Sequence, residues 1–278
     1  GGPVIVRALL PWAKAVTVLD AATGAPVGRL DRIREEGFFA GAVQGRTSWF
    51  PYRLRVSIDG GAVDIDDPYR FPPTLAEADV GLLAEGSDLR CWEKLGAHPR
   101  TIDGVDGVAF SVWAPHAGRV AVIGDFNDWD GRRHAMRLRH DCGVWEIFLP
   151  GLQPGRLYKF EIKTGYGERL PDKADPLAFA AERRPGSASI LCDLGQYRWG
   201  DAEWMARRHD FAAREQPVSI YQLHLGSWRR KPEEGHRWLT YQENADELIG
   251  YVRDLGFTHV QLMPVSEYDS EASVGYKP

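Results

Sequence analysis

A chain that carries one pattern twice is bound to fold into two versions of one module, and this chain does so over its first 180 residues. "VRALLPWAKAVTVLD" (6–20) aligns with "FSVWAPHAGRVAVIG" (110–124), so that Pro11, Ala13, Val16 and Val18 fall on Pro115, Ala117, Val120 and Val122, 104 residues on. "GFFAG" (37–41) then meets "GVWEI" (143–147), and "YRLRV" (52–56) meets "YKFEI" (158–162), 106 residues on. Last, "DDPYRF" (66–71) meets "ADPLAF" (174–179), at an offset of 108. Offsets that grow by two at a time are what loop insertions produce between copies.

Each copy alternates apolar and polar residues in short runs, such as Val16 and Val18, then Tyr52, Leu54 and Val56. Turn clusters, "DGG" (59–61), "DGVDG" (103–107) and "GLQPG" (151–155), separate the runs. Evenly spaced short strands with Gly/Pro turns predict immunoglobulin-like β-sandwiches. Between the copies, residues 74–96 show mixed helical spacing and predict one or two short helices. From Pro217 the texture changes. Val218 to Leu225 is apolar on both faces, as a covered strand of a parallel sheet is. "TYQE" (240–243) is a capping box, and Ala245, Leu248, Ile249, Val252 and Leu255 form a helical stripe that Gly256 can close. "FTHVQLMPV" (257–265) is a second strand, which makes a right-handed βαβ unit.

A (β/α)8 barrel takes roughly 200 residues or more, and only 62 remain from Pro217. The opening Gly1-Gly2-Pro3 without Met suggests a trimmed chain, and the bare-edged strand pair suggests the front of something longer. The fold expected is mainly β: two sandwich modules and the first βαβ unit of an incomplete amylase-type barrel. Its divisions fall at 1–72, a helical linker 73–98, 99–197, a second linker 198–216, and 217–278.

Charge and cysteines narrow the function. A net charge of −5 lacks the basic footprint of a nucleic-acid binder. No apolar run reaches the 18 residues of a membrane span, and no signal peptide is expected from the opening residues. The three cysteines, Cys91, Cys142 and Cys192, are scattered and odd in number, which suggests a reducing cytoplasm rather than a disulfide framework. Ten tryptophans are many for this length, several beside polar or turn residues. One of them is unusual. "GDFNDWDG" (124–131) sets Trp129 among three aspartates and an asparagine, in a turn that reads as solvent-facing.

Six motifs in order, "LGAHP" (95–99), "GDFNDWDGRRHAM" (124–136), "KADPLAF" (173–179), "RPGSAS" (184–189), "YQLHLGSW" (221–228) and "GFTHVQLMPV" (256–265), resemble the N-terminal portion of the bacterial 1,4-α-glucan (glycogen) branching enzymes. The resemblance covers essentially the whole chain, and "HLGSW" and "LGAHP" favour branching over debranching. It implies an extra N-terminal domain, then a carbohydrate-binding module, then the opening of the barrel. It also implies that Trp129 stacks on a glucose ring, with Lys159 and Tyr166 as a second polar contact and a second ring. An indole face accepts the apolar axial-hydrogen face of a sugar while the hydroxyls stay wet, and a rigid turn lowers the ordering cost. An inward-facing Trp129 in a satellite core, and a plain exposed strand lysine at 159, remain open beside these roles. In the barrel fragment the resemblance implies a sugar platform at Tyr276. The family pattern Ser-Trp-Gly-Tyr-Gln is changed here to Ser273-Val274-Gly275-Tyr276-Lys277, which weakens that assignment.

Branching cuts an α-1,4 glucan and transfers the piece to a 6-hydroxyl with retention. That chemistry needs a carboxylate nucleophile and a carboxylic acid about 5 Å apart, which the family places on later strands, so no catalytic residue is assigned in this chain. Asp125, Asp128 and Asp130 lack an apolar pocket to raise one pKa, and Glu267 and Asp269 read as a solvated loop. The histidines show no zinc spacing. "GYGER" (165–169) is followed by no helix pattern, so no nucleotide site is expected. His224 is expected to be a buried, hydrogen-bonded strand residue. The partner expected is an α-glucan, with no nucleic acid, membrane, metal or cofactor, and the chain is expected to be a cytoplasmic monomer. A stand-alone α-glucan-binding protein, a debranching enzyme and a trehalose-releasing hydrolase are the alternatives.

Overall fold

The stretches that repeat in sequence become strands, and the two copies pair them in the same register. The computed structural model describes residues 2–211 and 217–266. The first copy holds β1 (Val4–Leu9), β2 (Ala15–Asp20), β3 (Pro26–Arg34), β4 (Phe38–Val43), β5 (Tyr52–Ile58) and β6 (Gly61–Asp66). After helix α1 (Glu77–Glu85), the second holds β7 (Gly96–Ile102), β8 (Val105–Trp113), β9 (Ala117–Gly124), β10 (Arg137–Arg139), β11 (Val144–Pro150), β12 (Leu157–Thr164) and β13 (Ser189–Ile190). In the first, β2 sets Val16 opposite Val56 and Val18 opposite Leu54 of β5. In the second, β9 sets Val120 opposite Ile162 and Val122 opposite Phe160 of β12. The pair Ala8–Phe39 of β1 and β4 recurs as Val112–Trp145 of β8 and β11.

Alternation along these strands sends one side chain in two to the core. Val6, Val16, Val18, Leu30, Phe39, Leu54 and Val56 form the first core. Val112, Val120, Val122, Trp145, Tyr158 and Phe160 belong to the second. In the first copy β3 pairs with both β2 and β4, giving one antiparallel order β1-β4-β3-β2-β5-β6. Strands near both ends of that order share a core, so the sheet bends over on itself. In the second copy the strands fall into a four-stranded sheet, β10-β11-β8-β7, and a three-stranded sheet, β13-β12-β9.

A buried hydrogen bond is duplicated as well. Tyr52 donates its hydroxyl to Asp67 Oδ2, and Tyr158 donates its own to Asp175 Oδ2, each at 2.6 Å. In both, the other carboxylate oxygen accepts the backbone N–H two residues on, from Tyr69 and from Leu177, at 2.9 Å.

The expected linker helices are α1, closed by Gly86 in the left-handed region, and a 3-10 turn at Cys91–Glu93. Leu75, Val80 and Leu95 of this segment pack on Cys142 and Val144. The two copies also touch directly. Phe71 meets Phe148 edge-on, with ring centroids 4.7 Å apart, and Arg137 donates to the carbonyls of Phe71 and Tyr69. Both copies belong to one compact unit that ends at Tyr197; a second unit starts at Arg198.

The second unit contains α2 (Ala202–Phe211), β14 (Ile220–Leu223), α3 (Leu225–Trp228), the ribbon of β15 (Arg230–Lys231) and β16 (Arg237–Trp238), α4 (Tyr241–Asp254) and β17 (His259–Leu262). β14 and β17 are parallel with α4 between them in sequence, as the βαβ reading requires. Thr240 and Glu243 form the capping box, and Gly256 takes φ 77°. Ala245, Leu248, Ile249 and Val252 of the α4 stripe line one apolar surface; Leu248 and Val252 are buried with Leu223, and Ile249 is exposed. Two expectations are corrected. Residues 198–216 are not merely a linker, because "AEWMARRHDF" forms α2. His224 is half-buried, at the N-cap of the short α3, with Nδ1 3.2 Å from Ser227 Oγ.

Candidate functional site

The two copies differ where the offset changes. The pair Thr17–Arg29 of the first becomes Ala121–Ala135 in the second, so the connection after β9 is two residues longer. The pair Leu54–Ile65 becomes Phe160–Lys173, so the hairpin after β12 is longer by two as well. The first extension carries Trp129 and the second carries Tyr166. Neither ring is needed to build the module, since the first copy forms the same strand pairs without them.

The Trp129 turn is built around Asn127, which is only 1% exposed. Its Oδ1 accepts the Gly124 N–H at 2.8 Å, and its Nδ2 donates to the Val122 carbonyl at 2.9 Å and lies 2.8 Å from His134 Nδ1. The Trp129 N–H closes the loop onto the Gly124 carbonyl at 3.0 Å. Asp128 and Trp129 both take φ 56°, a left-handed backbone that L-residues occupy at a cost of about 1–2 kcal/mol each. Such strain persists only where the surroundings fix it, and it gathers at functional positions. Trp129 is 38% exposed and belongs to none of the buried clusters among the described residues.

The turn then folds over the outer face of β12. Tyr158 and Phe160 point into the core, so Lys159 and Glu161 point outward. Glu161 is nonetheless buried, because Gly131 lies on it: a Cβ on Gly131 would sit 2.5 Å from the carboxyl group. The carboxylate pairs with Arg119 at 3.1 Å, and Arg119 also donates to the Gly131 carbonyl. Its other oxygen lies 3.3 Å from Arg169, on the returning arm of the Tyr166 hairpin. Glu161 thus ties both extensions to one strand face. Lys159, two residues back on that face, donates from Nζ to Ser187 Oγ at 2.8 Å. Tyr166 is fully exposed at the hairpin turn beyond Thr164. Tyr276, Glu267 and Asp269 lie outside the described residues.

The charges around the turn suit binding rather than proton transfer. Arg132 holds the Asp130 carboxyl down at about 2, so it is ionised at neutral pH. Burial, with the nearby Arg133 charge, pulls His134 down to about 4, so its ring is neutral. No group of His, Cys, Asp and Glu among the described residues is arranged to hold a metal, and no described helix is long and apolar enough to cross a membrane.

Sequence reasoning missed Asn127, Glu161, Arg119 and Gly131. Asn127 was legible as a turn residue that bonds nearby backbone. Glu161 shows only as a charge in an alternating strand, and its partners come from distant parts of the chain.

Residues 2–69 match the family model described as alpha-1,4-glucan branching enzyme GlgB, N-terminal domain. Residues 94–178, which include Trp129, Lys159 and Tyr166, match carbohydrate-binding module 48 (isoamylase N-terminal domain). The chain is 54% identical over 278 residues to the 1,4-alpha-glucan branching enzyme GlgB of Rubrobacter xylanophilus, and 52% identical to that of Paramagnetospirillum magneticum. All of this chain is covered in both, but it spans about 37% of the length of these curated relatives. Among solved structures, GBS pullulanase SAP in complex with maltotetraose is a remote likeness, at 18% identity and a TM-score of 0.46 over 92% of this chain and 32% of that one. From end to end, the chain is similar to the N-terminal portion of the 1,4-alpha-glucan branching enzymes GlgB, with a match to that enzyme's N-terminal domain followed by a match to carbohydrate-binding module 48.

Proposed function

We propose that the chain is the α-glucan-holding front of a cytoplasmic, monomeric 1,4-α-glucan branching enzyme of glycogen biosynthesis. The whole protein cuts an α-1,4 chain and rejoins the piece at a 6-hydroxyl with retention, using carboxylates outside this chain. On this reading 1–72 and 99–197 are immunoglobulin-like sandwiches, joined by 73–98, and 217–278 opens an amylase-type barrel. Trp129 is the main sugar platform, with Lys159 and Tyr166 flanking it and Tyr276 serving the barrel.

One observation carries this reading: Trp129 is kept half-exposed on a left-handed backbone, in an extension that the first copy lacks. An indole that is neither core nor turn-forming is there for something outside the fold, and the flat apolar face of a glucosyl unit suits it. Affinity electrophoresis of the 278-residue chain in glycogen-containing native gels tests the proposal. Trp129→Ala is expected to weaken binding by about 1–2 kcal/mol, roughly 5- to 30-fold. Equal retardation of both proteins by glycogen overturns it.

A further inference from the structure

Trp12 has no counterpart in the second copy. Pro11-Trp12-Ala13 occupies the place of Pro115-His116-Ala117, and His116 is exposed. The module therefore makes this turn without an indole, and the role of Trp12 lies beyond its own fold. Trp12 is 40% exposed even though the Arg133 guanidinium stacks on its ring, 4.3 Å from the centroid. Arg133 also reaches across to Asp128, at 3.0 Å, directly beside Trp129. An indole held on one face by a tethered arginine is a rigid plate.

That plate lines a cleft of about 340 Å³ between the two β modules. Tyr69 lines it from the first module, and Phe126, Arg133, His134 and Arg156 from the second. The volume falls at the lower end of ligand sites, about 300–1,000 Å³. The charges at the cleft already have partners, Asp66 with Arg70 at 3.0 Å, Arg133 with Asp128 at 3.0 Å and Arg156 with Asp125 at 3.7 Å, so none is held free for an anion. His134 is neutral, and with Nδ1 against Asn127 Nδ2 its proton sits on Nε2, as a donor without charge. Aromatic walls, paired charges and a neutral donor suit an uncharged ligand with apolar faces and hydroxyl edges.

We propose that this inter-module cleft is a second α-glucan-binding site, with Trp12 as its stacking platform and His134 and Arg156 contacting sugar hydroxyls. It rests on the α-glucan reading of the Trp129 turn, which contributes Phe126 to the lining, and it gives the N-terminal module a share in holding polymer.

The test is an NMR titration of the 278-residue chain with maltohexaose, reading the indole N–H signals of Trp12 and Trp129. Trp12→Phe and Trp129→Phe assign the two signals. Both are expected to move, and the Trp12 signal is expected to move in Trp129→Ala as well. Trp12→Ala should lower glycogen affinity about 5- to 10-fold beyond the loss in Trp129→Ala. Movement of the Trp129 signal alone, or a Trp12 response that vanishes in Trp129→Ala, overturns the second site and leaves the first standing. Silence of both signals removes the glucan reading itself, and this inference with it.

Discussion

Replacing Tyr158 by Phe takes one oxygen out of the second module and leaves its apolar packing alone. That oxygen donates to Asp175 Oδ2 at 2.6 Å, between residues that are 1% and 7% exposed. The Leu177 N–H occupies Oδ1, so the substitution strands Oδ2 inside the protein. A hydrogen bond to a charged group contributes about 1.5–3 kcal/mol, and a stranded buried acceptor puts the loss near the top of that range. We expect Tyr158→Phe to cost about 2–3 kcal/mol, which lowers Tm by roughly 4–10 °C for a unit of this size. The duplicated bond makes Tyr52→Phe an internal control with the same expected loss. Burial already raises the Asp175 carboxyl above its ordinary value of 3.8. A carboxyl raised in the folded state favours folding when protonated, and it loses that contribution as pH rises through its folded pKa. Losing the hydroxyl raises it further, so the penalty is expected to shrink towards pH 4. Calorimetry on the 278-residue chain at pH 7 and pH 4 reads both effects. A Tm change under 1 °C at neutral pH in either variant refutes the assignment of these bonds as structural clamps.

Other consequences follow from the turn. Asn127→Ala leaves the Gly124 N–H and the Val122 carbonyl without their side-chain partner, so it is expected to cost about 2–4 kcal/mol and to weaken glycogen retention with Trp129 still present. Denaturant titration and affinity gels measure the two losses. Gly124→Ala drives a Cβ into the Leu157 carbonyl and the Phe126 ring, and an overpacking cost of about 1–3 kcal/mol is expected in the same titration. His134, lowered from 6.5 to about 4, contributes stability present above pH 6.5 and lost as pH falls through 4. Wild-type stability should drop by up to about 3 kcal/mol over that window, and His134→Gln should flatten the profile. An unchanged slope in the variant counts against a buried neutral imidazole.

Much of the fold could be read from residue order. The repeat offsets located β2, β5, β9 and β12 before any pairing was known, because period-2 alternation and turn residues are local properties. The capping box and closing glycine likewise bounded α4, since caps are written within a few residues of the helix end. Helix α2 went unread, because a mostly polar helix shows no apolar period to find.

The site divides in the same way. Sequence alone determined that Trp129 stands in a turn and Lys159 on a strand, and the changing offset marked both places where the second copy is longer. Only the tertiary structure decided that Gly131, Arg119 and Arg169 converge on Glu161, that Arg133 links the Trp129 turn to Trp12, and that a cleft lies between the modules. Local chemistry sets turns, caps and alternation, whereas which distant side chains meet depends on how two cores pack, and no short window of sequence contains that.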